Sequence, residues 1–143
     1  MQSDVNYIAV VVAAVANMAL GALWFGPLFG KQWVKASGIT SERMEEAKKK
    51  GMASNYFLMF IGSLLTAYIL SHIVIFADAY PYLEISDMWL GLSAGFVSWM
   101  GFVAPVTIGV VLWEGKSWRH WLITYGFHLA GLLLMGVMLA LWM

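Results

Sequence analysis

Apolar residues run almost unbroken through four stretches of the chain, and Asp, Glu, Lys and Arg are confined to what lies between them. The charge-free runs are Val5–Gly30, Gly51–Ala77, Met88–Trp113 and His120–Met143. A helix needs roughly 20 residues to cross the hydrocarbon of a bilayer, and each run is longer than that. Lipid offers the backbone no hydrogen bonds, so runs of this length predict helices. The predicted spans are residues 5–26, 52–77, 87–113 and 119–142. The expected fold class is all-α: an integral membrane bundle of four transmembrane helices, with short interfacial helices in the connection 27–50. Residues 1–143 are expected to form a single transmembrane domain. The leader before the first span carries no Lys or Arg, and the apolar stretch exceeds a signal-peptide core, so that span reads as a retained helix.

Composition sharpens this. Hydrophobic residues make up 62% of the chain and charged residues 11%, against about 25% charged in a soluble domain. That leaves too little polar surface for a water-soluble enzyme, a nucleic-acid binder or a disordered chain. Formal net charge is zero, so no global field steers a charged partner. Cysteine is absent, which excludes disulfides and thiolate metal sites.

Charge placement adds an orientation. Lys31, Lys35, Arg43, Lys48, Lys49 and Lys50 lie between spans one and two, and Lys116 and Arg119 between spans three and four. The positive-inside bias then predicts a multi-pass protein of the cytoplasmic (inner) membrane, with both termini and the 78–87 loop outside. Within the first connection, Pro27 suits the first turn of a short helix and Gly38 its stop. A second helix should start after Thr40 as N-cap, carry Glu42 early and Lys48–Lys50 late, and end at Gly51. Lys48, Lys49 and Lys50 are candidate lipid-headgroup residues as well as topology determinants.

After Asn17 the chain reads Gly21-Ala22-Leu23-Trp24-Phe25-Gly26-Pro27-Leu28-Phe29-Gly30-Lys31-Gln32-Trp33. In this stretch it resembles the bacterial membrane proteins grouped as domain of unknown function seventeen sixty-one. The motif residues are Trp24, Phe25, Pro27, Phe29, Gly30, Lys31 and Trp33. The resemblance implies a small protein with four membrane helices. It implies no reaction and brings no catalytic residues.

The spans carry marked faces. In span three Gly91, Gly95, Ser98, Gly101, Pro105 and Gly109 recur at helical spacing. Small faces let helices approach closely in lipid, so Gly91, Gly95, Ser98, Gly101 and Gly109 form a candidate packing face, either within one bundle or between copies. Pro105 should kink the span and free the carbonyl of Gly101. Span four carries His120, Thr124, His128, Gly131, Met135 and Met138 in phase. Span one offers Ala13, Asn17 and Gly21; span two offers Asn55, Met59, Gly62 and Thr66. At 1.5 Å per residue, Asn17, the Gly101–Pro105 break and His128 all lie about 12–15 Å in from the cytoplasmic boundary. Asn17, Gly101, Pro105, Thr124 and His128 are therefore a candidate polar cluster in the membrane interior. His128 is its one titratable member, and an ionisable residue at that depth is a functional candidate by default.

Absences set the functional expectation. No span holds a carboxylate inside its ends, no two histidines pair at ligand spacing, and no nucleophile–base set can be assembled. No cofactor, metal or catalytic residue is expected. The reading is a self-associating structural or accessory membrane protein with lipid contacts and no nucleic-acid partner. The alternative is a small transporter or channel with a polar path around Asn17 and His128, whose small-molecule or ion ligand the sequence leaves open.

Overall fold

The computed structural model describes residues 4–80, 82 and 84–143. Among them, four helical segments are long and apolar enough to cross a membrane: Tyr7–Leu28, Ala53–Asp78, Asp87–Leu112 and Trp118–Leu141. The first comprises α1 (Tyr7–Leu23) and a π-helical turn (Trp24–Leu28). Two short helices follow, α2 (Gly30–Ser37) and α3 (Ser41–Lys50). The second segment is α4 (Ala53–Asp78). The third is divided into α5 (Asp87–Phe102), α6 (Ala104–Thr107) and α7 (Gly109–Leu112). The fourth is α8 (Trp118–Leu141).

Local chemistry accounts for the boundaries. Asn6 caps α1, its side chain accepting from the Ala9 amide at 3.1 Å, and Thr40 caps α3 by accepting from Arg43 N–H at 3.3 Å. Ser117 caps α8 through the His120 amide. These side-chain oxygens satisfy amides that a helix N-terminus leaves unpaired. Gly38 ends α2 at φ 73°, a left-handed position that glycine adopts without steric cost.

Proline interrupts two spans, in different ways. Pro27 does not open the short helix; it sits inside a π turn that carries the first span to Leu28, and α2 begins only at Gly30. Pro27 has no N–H to give, and the chain widens so that Phe29 N–H donates to the Trp24 carbonyl, five residues back, at 2.8 Å. Pro105 divides the third span: α5 ends at Phe102, and two four-residue helices complete the crossing.

α8 packs against α1, α4 and α5, and α4 likewise touches α1, α5 and α8, so α4 and α8 form the short diagonal of the bundle. The core joins Ala9, Ala13 and Ala14 of α1 to Ala67, Leu70 and Val74 of α4, Leu90 and Ala94 of α5, and Leu132, Met135 and Leu139 of α8. Small residues dominate wherever backbones come close, as expected where lipid removes the hydrophobic drive between helices and dispersion must supply the contact. The tightest seam is α5 on α8. A Cβ at Gly91 would fall on the Gly136 carbonyl, one at Gly136 on the Gly91 carbonyl, and one at Gly95 would lie 2.5 Å from the Leu132 carbonyl oxygen.

Candidate functional site

The small-residue stripe of span three divides at its middle. Gly91 and Gly95 are buried against α8 and Ser98 is buried beside the cavity, whereas Gly101 and Pro105 are exposed and Gly109 is half-buried. Gly101, still within α5, lies about 80° around the helix from Gly91; the helix stops at Phe102, so Pro105 and Gly109 beyond it lose the register of the buried face.

Beside that seam lies a cavity of about 550 Å³, walled by α1, α4, α5 and α8 and partly open, with Leu58, Met59, Gly62, Leu65, Thr66 and Ile69 of its α4 wall exposed. Along α4 it extends from Leu58 to Ile73, a rise of about 22 Å. Leu65, Ile69, Phe102, Val103 and Leu132 make its walls mainly apolar. Five polar side chains reach it: Asn17, Ser63, Thr66, Ser98 and His128.

Four of the five are committed within the protein. Asn17 Nδ2 donates to Ser63 Oγ at 2.9 Å, tying α1 to α4. Its Oδ1 rests on Gly131, where a Cβ would displace it, so the same amide also meets α8. Thr66 Oγ1 donates to the Gly62 carbonyl at 2.9 Å, and Ser98 Oγ to the Ala94 carbonyl at 2.7 Å. These are back-bonds within one helix turn, which let a hydroxyl sit in apolar surroundings. His128 is exposed to the cavity. Its ring lies 5.2 Å from Phe127 and 5.9 Å from Tyr125, centroid to centroid. Among the described residues it has no hydrogen-bond partner.

The proposed polar cluster is thus partly assembled. Asn17 and His128 share the cavity. Gly101 and Pro105 do not line it; the adjacent Phe102 and Val103 do. Thr124 faces another way, accepting from Trp33 Nε1 at 3.0 Å. Ser63, the hydrogen-bond partner of Asn17, lies beside the expected face of span two, on which Met59, Gly62 and Thr66 line the cavity. Its only signal in the sequence is a position one residue from Gly62 and four from Ala67, both small.

A second constellation lies toward the basic end. Trp24 Nε1 donates to the Ile123 carbonyl at 2.8 Å, Trp33 Nε1 to Thr124 Oγ1, and Trp99 Nε1 to the Tyr125 carbonyl at 2.8 Å. Three indoles from three segments therefore grip consecutive residues of one turn of α8. Phe25 packs edge-on to Trp33 at 5.6 Å and to Phe127 at 5.2 Å. Phe29 lies 4.7 Å from Trp24. Gly30 is required by the π turn: a Cβ there would lie 2.6 Å from the Phe25 carbonyl oxygen. The Trp24–Trp33 motif is thus a clamp that folds α2 back onto α8. Lys116 Nζ completes it by donating to the Ser37 carbonyl, at the C-terminal end of α2, at 2.9 Å. Lys31 and the lysines of α3 are exposed, and α3 makes no substantial contact with another helix.

Among the described residues, no three or more His, Asp or Glu side chains group so as to hold a metal ion. The model of a family described as "protein of unknown function (DUF1761)" matches residues 8–140. No curated protein and no solved structure matches the chain.

Proposed function

The chain belongs to the DUF1761 family, whose description carries no activity, and from that premise we propose that it is a non-enzymatic membrane protein that holds an apolar chain drawn from the bilayer. The carrying observation is the elongated, mainly apolar cavity beside α4. In a protein whose surroundings at this depth are hydrocarbon, a side opening admits molecules from the bilayer. Its volume falls within the roughly 300–1,000 Å³ of small-molecule sites, and its length suits a linear molecule.

The host membrane in this reading is the bacterial cytoplasmic membrane, with both basic connections inside and both termini outside, supported by the one-sided distribution of Lys and Arg. The free, exposed Lys48–Lys50 end of α3 would lie along anionic headgroups. Self-association draws no support from Gly91 and Gly95, which α8 occupies within the chain. A transport path through Asn17 and His128 is the weaker alternative, because Gly101, Pro105 and Thr124 lie outside the cavity and the Asn17 amide is committed to Ser63.

Gly62 gives the test. It lines the cavity, and a Cβ there meets nothing within 4 Å, so Gly62→Trp should fill the space without disturbing a helix contact. Lipid spin-labelled at mid-chain should show an immobilised component with the wild-type protein that Gly62→Trp removes. The same component in both proteins would reject the reading.

A further inference from the structure

Resting on the reading of the cavity as a chain-binding site, we infer that its occupant is a quinone-type lipid: a neutral ring carbonyl held by His128, with a linear apolar tail lying along α4. Asn17, Ser63, Thr66 and Ser98 each make a hydrogen bond within the protein, and His128 makes none among the described residues. A neutral imidazole always presents one N–H donor and one acceptor nitrogen. In hydrocarbon, leaving that donor unmatched is unfavourable, because no water stands by to receive it. The site therefore offers a directed donor on an otherwise apolar wall.

Depth then selects among membrane molecules. His128 lies ten residues along α8 from Trp118, about 15 Å from the helix start and so near the middle of a hydrocarbon layer roughly 30 Å thick. The ester and phosphate oxygens of a phospholipid stay at the interface. At the level of His128 its tails present only methylenes, which accept nothing. A molecule whose polar group rests at this depth must be neutral and carry a carbonyl on an apolar body. The surroundings suit a flat ring as well as a chain. Phe127, beside His128, lines the cavity together with Phe102, and Ile69, Leu70, Ile73 and Met135 continue it as an apolar track toward the C-terminal end of α4.

The test titrates a decyl-substituted benzoquinone into the full-length protein in phosphatidylcholine nanodiscs, following quenching of intrinsic tryptophan emission, with hexadecane as the competitor that lacks a carbonyl. Wild type should bind the quinone saturably. His128→Leu should weaken binding about five- to tenfold, the loss of one hydrogen bond. His128→Gln, which keeps an N–H donor, should stay within about twofold of wild type on the same hydrogen-bond scale. Circular dichroism checks that both variants keep their helices. If His128→Leu binds as well as wild type and hexadecane displaces the quinone, the cavity binds chains but the quinone assignment is overturned. If neither molecule binds saturably, the chain-binding reading and this inference fall together.

Discussion

Gly91 and Gly101 are ten residues apart in one stripe, yet the structure gives them opposite energetics. At Gly91 the nearest atoms to a new Cβ belong to the backbone of α8 at Gly136 and Val137, which cannot rotate aside. Overpacking of this kind costs about 1–3 kcal/mol, and a rigid backbone obstacle places Gly91→Ala toward the upper end. At Gly101 a Cβ meets nothing within 4 Å. There the substitution removes only glycine's helix penalty, worth up to about 1 kcal/mol. Gly91→Ala should therefore lower the thermal midpoint of the purified protein, and Gly101→Ala should leave it unchanged or raise it. Equal behaviour of the two variants would contradict the α5–α8 seam. The spacing rule put both residues on one face, but ten residues of helix end about 80° short of a whole number of turns, so Gly101 sits at the edge of the stripe and clear of α8. The break beyond Phe102 then takes Pro105 and Gly109 out of register, and it was legible from the amide that Pro105 lacks.

At the scale of elements, the motif around Pro27 works through geometry that has no sequence code. Trp24 and Trp99 donate to backbone carbonyls, at Ile123 and Tyr125, and every residue has such a carbonyl. Nothing in the spacing of the tryptophans named those acceptors. The π turn is hidden for a similar reason: Pro27 fits either the start of a new helix or a bulge in an old one, and the choice is made by Phe29 reaching the Trp24 carbonyl. By contrast, Thr40 and Gly38 act within their own turns, so their roles as cap and stop could be read directly. The clamp predicts a graded result. Trp24→Phe and Trp33→Phe each lose one indole hydrogen bond, about 1 kcal/mol. Because both indoles hold adjacent residues of α8, the double variant should depart from additivity. Trp113→Phe, at a residue 86% exposed, should change nothing measurable. Denaturation midpoints in one detergent compare all four variants, and a Trp113→Phe effect as large as that of Trp24→Phe would contradict the clamp.

For the whole molecule, the four crossings were the most legible feature, because a charge-free run long enough to span hydrocarbon has few other stable solutions in lipid. The arrangement of the crossings was less so. α8 is the hub that meets α1, α4 and α5, and its buried residues include Phe127, Gly131, Leu132, Met135 and Gly136, a broader surface than its polar residues outline. The cavity is a property of this arrangement: it lies where α4 and α5 flank α8 beside Asn17, and no single helix encodes it. Each end of the bundle is tied across its elements by hydrogen bonds. Lys116 joins the first and last connections through Ser37 and Trp33 ties α2 to α8 at one end, while Asn6 Nδ2 donates to the Trp142 carbonyl at the other, at 3.0 Å. One bundle therefore carries every Lys and Arg at one end and Asn6 and Trp142 at the other, and its orientation is a single two-way choice. The absence of cysteine makes that choice easy to read. Ala47 is exposed on α3 and Tyr82 is 82% exposed in the opposite connection, so neither Ala47→Cys nor Tyr82→Cys should perturb the bundle. In intact cells a membrane-impermeant maleimide should label Tyr82→Cys and spare Ala47→Cys until the membrane is opened. The reverse pattern would place the lysines outside and invert the protein, leaving the cavity intact but exchanging the leaflets its two ends face.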